Sequence, residues 1–250
     1  MRKAKRTAIV LAAGQGKRMG TKVQKQYLEI LEKPILFYSL DTFQKSDIID
    51  EIILVVGENQ EEYCQKEIVE KFGITKASKI VRGGSERYNS VWNALQVMTE
   101  DGFVFIHDGA RPFVTEEILA HAYKAVQEEK ACVVGMPAKD TIKIVDDNRF
   151  AKETPDRNYV WLVQTPQVFE TSLIKKAYSL LMKQEIIQVT DDAMVVEKML
   201  QRNVKLVEGS YENIKITTPE DLKIAETILS NYSAMRQMSE ADVSCLHENS

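Results

Sequence analysis

"IVLAAGQGKRMGTKVQKQY", Ile9 to Tyr27, runs from an apolar stretch through glycines into four cations, Lys17, Arg18, Lys22 and Lys25. Flexible backbone followed by concentrated positive charge suits a polyphosphate. Gly14 and Gly16 permit positive φ and close approach, so successive backbone N–H groups can line an anion nest. Arg18 and Lys25 then supply mobile charge where phosphate oxygens become more negative during transfer. The two familiar phosphate templates do not fit. The run Gly14–Gly20 has one residue too many before its third glycine for a dinucleotide fingerprint, and no Gly-Lys-Ser/Thr closes a P-loop. The plain alternative is a tight turn beside a solvated basic face.

Two further clusters carry suitable chemistry. "HDGARPF", His107 to Phe113, brings Asp108 and Arg111 to the end of an apolar run. Asp108 suits a sugar hydroxyl or a metal, and Arg111 a phosphate; loop pairing is the ordinary reading. "GGSERYNS", Gly83 to Ser90, sets Gly84 and Ser85 before a helical pattern, where backbone and hydroxyl groups can read a base edge. Its ordinary reading is a helix start capped by Ser85.

These clusters need elements that bring them together. Thr7–Ala12, Ile52–Val56, Phe103–His107 and Cys132–Met136 are short apolar runs without polar alternation, the pattern of strands covered on both faces. Between them lie helical patterns at Ile35–Phe43, Glu61–Phe72, Glu86–Met98 and Glu116–Glu128. The alternation predicts an α/β protein with a doubly wound, mostly parallel sheet. Ligands of such sheets sit beyond the carboxyl ends of the strands, where the opening turn and "HDGARPF" both fall.

From Lys139 the rhythm changes. Thr141–Val145 and Phe150–Thr154 alternate around Asp146-Asp147-Asn148, which predicts a β-hairpin arm spanning about residues 139–157. An exposed hairpin bearing Ile142, Ile144 and Phe150 needs a partner surface, most simply a second copy of the chain, or else folds back on its own domain. A last helix starts with Thr218 as N-cap, Pro219 at N1 and Asp221 at N3, and carries the stripe Leu222, Ala225, Ile228, Leu229. One domain is therefore expected over residues 1–230, and residues 231–250 read as a tail.

Bulk properties exclude several classes. The 250-residue chain has a net charge of −4, so it carries no overall basic footprint for nucleic acid. Three cysteines without a CxxC pair and three scattered histidines argue against a disulfide framework and a thiolate or His-rich metal centre. The apolar part of the N-terminus is too short for a signal peptide, and no spanning segment follows. A soluble cytoplasmic protein is expected.

Taken in order, "LAAGxGxRMG" with "KQY", "GGxERxxSV", "HDGARPF", "DTIK", "DRxxxWxxQTPQxF", "TDDAxxxE" and "NIKITTPEDL" resemble the 2-C-methyl-D-erythritol 4-phosphate cytidylyltransferase family from about Thr7 to Leu229. The resemblance implies a Rossmann-like nucleotidyltransferase fold that joins CTP to methylerythritol phosphate and releases pyrophosphate, in the non-mevalonate route to isoprenoids. It implies Mg²⁺ as the divalent cation, with no ligand set, and a homodimer whose hairpin arms are exchanged between active sites. Ala12, Ala13, Gly14, Gly84, Ser85 and Ser90 match nucleotide-holding positions. Arg18 and Lys25 match the pair that stabilises the transition state, and Arg157 and Lys215 the pair that positions the sugar phosphate. Asp108, Gly109, Arg111, Thr141 and Thr165 fall on other contact positions, Asp108 and Gly109 on the nucleotide side and Asp108, Arg111, Thr141 and Thr165 on that of the acceptor. The family usually has Pro before the catalytic Lys, where this chain has Gln24.

Two other functions share many of these features. A ribitol-5-phosphate cytidylyltransferase would use similar glycines and cations, but "LAAG", "DRNYVWLVQTPQ" and "TDDA" favour the erythritol enzyme. A non-catalytic nucleotide sensor could keep the fold, yet would not need Arg18, Lys25, Asp108, Arg157 and Lys215 together. An NAD-linked oxidoreductase lacks the fingerprint and its acidic ribose ligand.

Overall fold

The computed structural model describes residues 4–14, 24–185 and 187–232. Its centre is a sheet made, among these residues, by β1 (Lys5–Ala12), β4 (Glu51–Val56), β5 (Ala77–Arg82), β6 (Gly102–Asp108), β7 (Ala131–Pro137), β10 (Trp161–Glu170) and β11 (Lys205–Glu208). The strand order is β11-β7-β10-β6-β1-β4-β5. β1 pairs in parallel with β4 and β6, β4 with β5, and β7 with β11, whereas β10 is antiparallel to both of its neighbours. The predicted mostly parallel, doubly wound α/β sheet is present, with β10 as its exception.

The four predicted strand runs all become strands. Ile52 to Val56 of β4 are wholly buried, as strands sandwiched between two helical layers must be. On one face pack α1 (Ile35–Lys45) and α4 (Glu116–Glu129), against Ala8 and Val10 of β1. On the other pack α3 (Arg87–Gln96), α5 (Thr171–Leu181) and α6 (Asp192–Leu200), against Ile9. Adjacent residues of β1 thus feed opposite layers, the consequence of a two-residue side-chain period. Each fully buried aliphatic or aromatic side chain contributes about 1.5–3 kcal/mol. Truncating Phe105 to Ala at the centre of β6 would cost about 3–5 kcal/mol.

Local chemistry ends the helices where expected. Thr115 caps α4, its Oγ1 accepting from the Ile118 N–H at 3.3 Å, with Glu116 and Glu117 in the positive first turn. Lys130 closes α4 in the left-handed region at φ 65°. The predicted helix Glu61–Phe72 is a short α-helix, α2 (Glu61–Tyr63), that runs on as π-helix through Cys64–Glu70. Residues 219–232 are helical, and Asp221 Oδ2 accepts the N–H groups of Thr217 and Thr218, each at 2.8 Å. Asp221 thereby back-caps the predicted start.

β10 has no counterpart in the sequence reading, because Pro166 and the polar run Gln164, Thr165, Gln167 argue against a central strand. Its ladder to β7 breaks between Val163 and Gln167, around the residue that has no N–H to donate. The break leaves Thr165 free to face β6. The hairpin strands are shorter than predicted: β8 (Ile144–Val145) and β9 (Ala151–Glu153). Asp146 Oδ1 accepts from the N–H groups of Asn148 and Phe150, both at 2.9 Å, and forms the turn. A small pair, β2 (Glu29–Ile30) and β3 (Lys33–Pro34), leads into α1. With Phe113 and Ile216, Ile30 and Ile35 form a satellite core that seats the last helix through Ala225 and Leu229.

Candidate active site

Three loops meet at the carboxyl ends of β1, β5 and β6. Gly83 packs the second against the first: its N–H donates to the carbonyl of Val56 at the end of β4 at 2.8 Å, and a Cβ there would lie 2.4 Å from Ala13 Cβ. Only glycine permits that approach. Gly84 has a different steric reason, since its Cβ would lie 2.3 Å from Asn89 Cβ inside the start of α3. That start is capped by Glu86, which exchanges a reciprocal capping box with Asn89, and not by Ser85 as the sequence suggested. Ser85 is exposed, with its Oγ 3.1 Å from Asn89 Oδ1. The Ser90 hydroxyl accepts from the Gly84 N–H at 3.0 Å and donates to the Glu86 carbonyl at 3.2 Å, so it stitches this loop shut. Gly14 is not in the positive-φ region, and a Cβ there would meet nothing within 4 Å among the described residues. The sequence-based argument that Gly14 needs left-handed freedom is therefore corrected.

Lys25 follows in the 3-10 turn Lys25–Tyr27, and its Nζ donates to the Ile216 carbonyl at 2.8 Å. Gln26, buried, donates from Nε2 to the Ala12 carbonyl at 2.6 Å and so ties this turn to the end of β1. Lys215, next to Ile216, reaches Asp108 Oδ2 with its Nζ at 2.7 Å. Arg87, the first residue of α3, donates from Nε to Asp108 Oδ1 at 3.2 Å. Burial by itself would raise the Asp108 carboxyl, but Arg87, Lys215 and Arg111 outweigh it and hold it well below the usual carboxylate range. Asp108 is ionised at any working pH.

A hydrogen-bond chain fixes the backbone beneath. The Asp108 N–H donates to Thr165 Oγ1 at 3.1 Å, Thr165 Oγ1 lies 3.0 Å from His107 Nδ1, and His107 Nε2 lies 3.0 Å from the Arg111 carbonyl. One order of donors satisfies every atom: Thr165 gives its hydroxyl proton to Nδ1, and the neutral ring donates from Nε2. Burial lowers His107 to about 4, which keeps it neutral. Arg111 donates from Nη1 to the Asn213 carbonyl at 2.7 Å, and burial lowers its pKa. Gly109 continues the β1–β6 ladder by donating to the Leu11 carbonyl at 2.9 Å.

The result is a cleft of about 610 Å³ whose walls include Ala12, Ala13, Gly14, Lys25, Gly84, Ser85, Ser90, Asp108 and Lys215. Gly109, Arg111 and Thr165 stand directly behind it, through their bonds to Leu11, Asn213 and Asp108. Arg157 and Thr141 do not join it within the chain: both are exposed at the arm, where Arg157 Nη1 donates to the Lys139 carbonyl at 2.8 Å. Arg18 lies outside the described residues, as do Gly16, Lys17 and Lys22.

The family model for 2-C-methyl-D-erythritol 4-phosphate cytidylyltransferase matches residues 7–231. A protein of that name from Lachnospira eligens is 49% identical over 224 residues, covering 89% of this chain and 98% of the relative. Another, from Caldanaerobacter subterraneus, is 50% identical with the same coverage. The crystal structure of 4-diphosphocytidyl-2C-methyl-D-erythritol synthase from Anaerococcus prevotii superposes with a TM-score of 0.80 at 35% identity, over 91% of this chain and 96% of that one. This chain belongs to the 2-C-methyl-D-erythritol 4-phosphate cytidylyltransferase family. It is accordingly an enzyme of the nucleotidyltransferase class, on an α/β nucleotidyltransferase fold.

Membership in the cytidylyltransferase family directs attention to this cleft and not to the larger one. A cavity of about 730 Å³ lies between α1, the segment 112–116 and the last helix. Its charges are mixed, Lys33 and Lys45 with Asp41, Asp47 and Glu116, and none of the sequence-predicted site residues lines it. Sequence reasoning missed Arg87 and Gln26 as members of the site. Both sat inside quoted motifs, "GGSERYNS" and "KQY", but nothing in their spacing said which way their side chains turn. No helix among the described residues is long and apolar enough to cross a membrane.

Proposed function

We propose that this protein joins CTP to 2-C-methyl-D-erythritol 4-phosphate, giving 4-diphosphocytidyl-2-C-methyl-D-erythritol and pyrophosphate, a step of isoprenoid biosynthesis. A phosphate monoester oxygen attacks the α-phosphorus of CTP in line with the departing pyrophosphate. Such a reaction needs no covalent nucleophile; it needs two polyanions brought together and their developing charge neutralised. The observation that carries the reading is the convergence of Lys25 and Lys215, from opposite ends of the chain, on one cleft floored by Gly14 and the Gly84–Ser90 loop. In it Ala12, Ala13, Gly14, Gly84, Ser85 and Ser90 hold the nucleotide, Lys25 neutralises the α-phosphate together with Arg18, and Lys215 and Asp108 serve the acceptor, supported from behind by Gly109, Arg111 and Thr165.

Mg²⁺ belongs to the reading as a companion of the triphosphate. Among the described residues no group of three or more His, Cys, Asp or Glu side chains forms a metal cage. A magnesium ion carried mostly by phosphate oxygens needs only one or two protein carboxylates, and Asp108, already ionised, fits as that ligand. The ion would offset phosphate charge and orient the leaving group.

Arg157 and Thr141 belong to the reading through a second copy of the chain. The arm exposes Ile144, Val145 and Phe150, the last 72% exposed, which an apolar hairpin tip avoids in isolation. Exchange of arms in a homodimer would carry Arg157 and Thr141 into the neighbouring cleft. Cytoplasmic residence is part of the same proposal.

The test is turnover of CTP and Mg²⁺ with methylerythritol phosphate and ribitol 5-phosphate side by side, followed by pyrophosphate release. Product with the first acceptor supports the assignment. Preference for ribitol phosphate assigns the sister activity, and CTP binding without pyrophosphate from either acceptor assigns a sensor.

A further inference from the structure

Arg87 lies between two carboxylates. Its Nε donates to Asp108 Oδ1 at 3.2 Å, and its Nη2 donates to Asp192 Oδ2 at 2.8 Å. Asp108 borders the cleft, whereas the Asp192 side chain is 0% exposed. Asp192 is itself held from two sides. The Tyr178 hydroxyl donates to Oδ1 at 2.5 Å, and the Asp192 N–H donates to Gln167 Oε1 at 2.9 Å. Gln167 also donates from Nε2 to Asp191, the N-cap of α6, at 2.9 Å. From α5, β10 and α6, then, a buried anion is fixed in place, and one guanidinium connects it to the site.

We infer that Arg87 and Asp192 are positioning residues for the transfer: Asp192 anchors Arg87, and Arg87 holds the Asp108 carboxylate in the orientation that leaves Oδ2 to Lys215 and the ligands. The inference rests on the reading of the cleft as the reaction site. Three physical arguments support it. An ion pair that buries its carboxylate fully is a poor way to gain stability, since apolar packing of the same volume does as well or better; this one, with Asp192 buried and Arg87 half-buried, runs into the cleft where charge is needed. Arg87 is also the first residue of α3, where a cation opposes the helix dipole, so the helix gains nothing from it. Finally, the geometry needs a planar fork that meets two carboxylates at a fixed angle, which a lysine ammonium cannot reproduce. When an acceptor phosphate competes for Lys215, Asp108 loses one of its two ion-pair partners. Arg87 is then what keeps Asp108 from turning.

The test is a double-mutant cycle of Arg87→Lys with Asp108→Asn, read in kcat/KM and, by calorimetry, in the dissociation constant of CTP with Mg²⁺. If Arg87 acts through Asp108, R87K costs at least tenfold in the wild-type background and less than threefold in D108N. Asp192→Asn gives the same pattern. Tyr178→Phe, which deletes one hydroxyl and keeps the packing, costs two- to fivefold and loses that effect in D108N, so the idea stays testable should D192N fail to fold. Losses that multiply in both readouts, or an R87K enzyme within twofold of wild type, overturn it. Wild-type protein that binds CTP but makes no product with either acceptor overturns the proposed function instead, and the cycle in binding then decides this inference by itself.

Discussion

Lys215 Nζ stands 2.7 Å from Asp108 Oδ2, across 107 residues of sequence. The pair joins the end of β6 to the segment before the last helix, and Lys25, through the neighbouring Ile216 carbonyl, brings its 3-10 turn to the same point. Removing a preorganised charge of this kind costs about 10²–10³ in rate. Lys25→Ala and Lys215→Ala should each lower kcat/KM by at least 10², with far-UV circular dichroism unchanged. Arg18→Ala should do the same. Wild-type turnover in the Lys25 or Arg18 variant would remove them from the chemistry.

His107 gives a pH signature of stability. Its folded pKa is depressed to about 4 by burial, against an ordinary value of 6.5, so the unfolded chain binds the proton more tightly. The neutral ring's contribution is complete above about pH 6.5 and is lost as the pH falls from there toward 4, a loss of the order of 3 kcal/mol. Asp108, whose carboxyl is held low, adds its own loss as the pH falls through the usual carboxylate range and below it. Urea unfolding at a series of pH values should show stability falling between 6.5 and 4, and His107→Gln should flatten that window. An equal slope in the variant would show that other groups carry it.

Gly83 and Gly14 make a matched pair of substitutions. A methyl group at Gly83 would press on Ala13 Cβ at 2.4 Å and on Ser90 Oγ at 2.9 Å, forcing the two nucleotide loops apart. Gly83→Ala should cost about 1–3 kcal/mol of stability by overpacking and weaken CTP binding at least tenfold. Among the described residues a methyl group at Gly14 meets nothing within 4 Å, so Gly14→Ala should leave the melting temperature unchanged and act on CTP affinity alone. Calorimetric titration and thermal melts separate the two cases.

Gln24 stands where the sequence resemblance implies Pro, and its backbone is already at φ −63°, within the proline range. Gln24→Pro should therefore raise stability by about 0.4–1 kcal/mol through the unfolded chain, less whatever the Gln26–Gln24 side-chain bond contributes. A drop in melting temperature would show that this bond outweighs the backbone gain.

The arm predicts the assembly. At micromolar concentration the chain should sediment as a dimer, and Phe150→Asp should shift it toward monomer with loss of turnover. A fully active monomer would remove the shared site and leave Arg157 and Thr141 without a role.

The sequence by itself determined the layers and the address of the site. Uninterrupted apolar runs from Ile52 to Val56 and from Phe103 to Ile106 can only be strands covered on both faces, and glycines and cations at strand ends fall on the sheet edge where ligands bind. It determined the family as well, through many spaced motifs, and with it the role expected of Arg18, which lies outside the described residues. It did not reveal β10, because its polar residues and Pro166 contradict local strand propensity, and only pairing on both sides overrides that. Nor did it reveal that Glu86 rather than Ser85 caps α3, or that Arg87 turns inward to two carboxylates, since a charged residue at a helix start ordinarily faces water. Those outcomes depend on contacts between residues far apart in the chain, such as Arg87 with Asp192. Spacing along the chain cannot encode them, because side-chain direction is set by which neighbours the fold has already brought close.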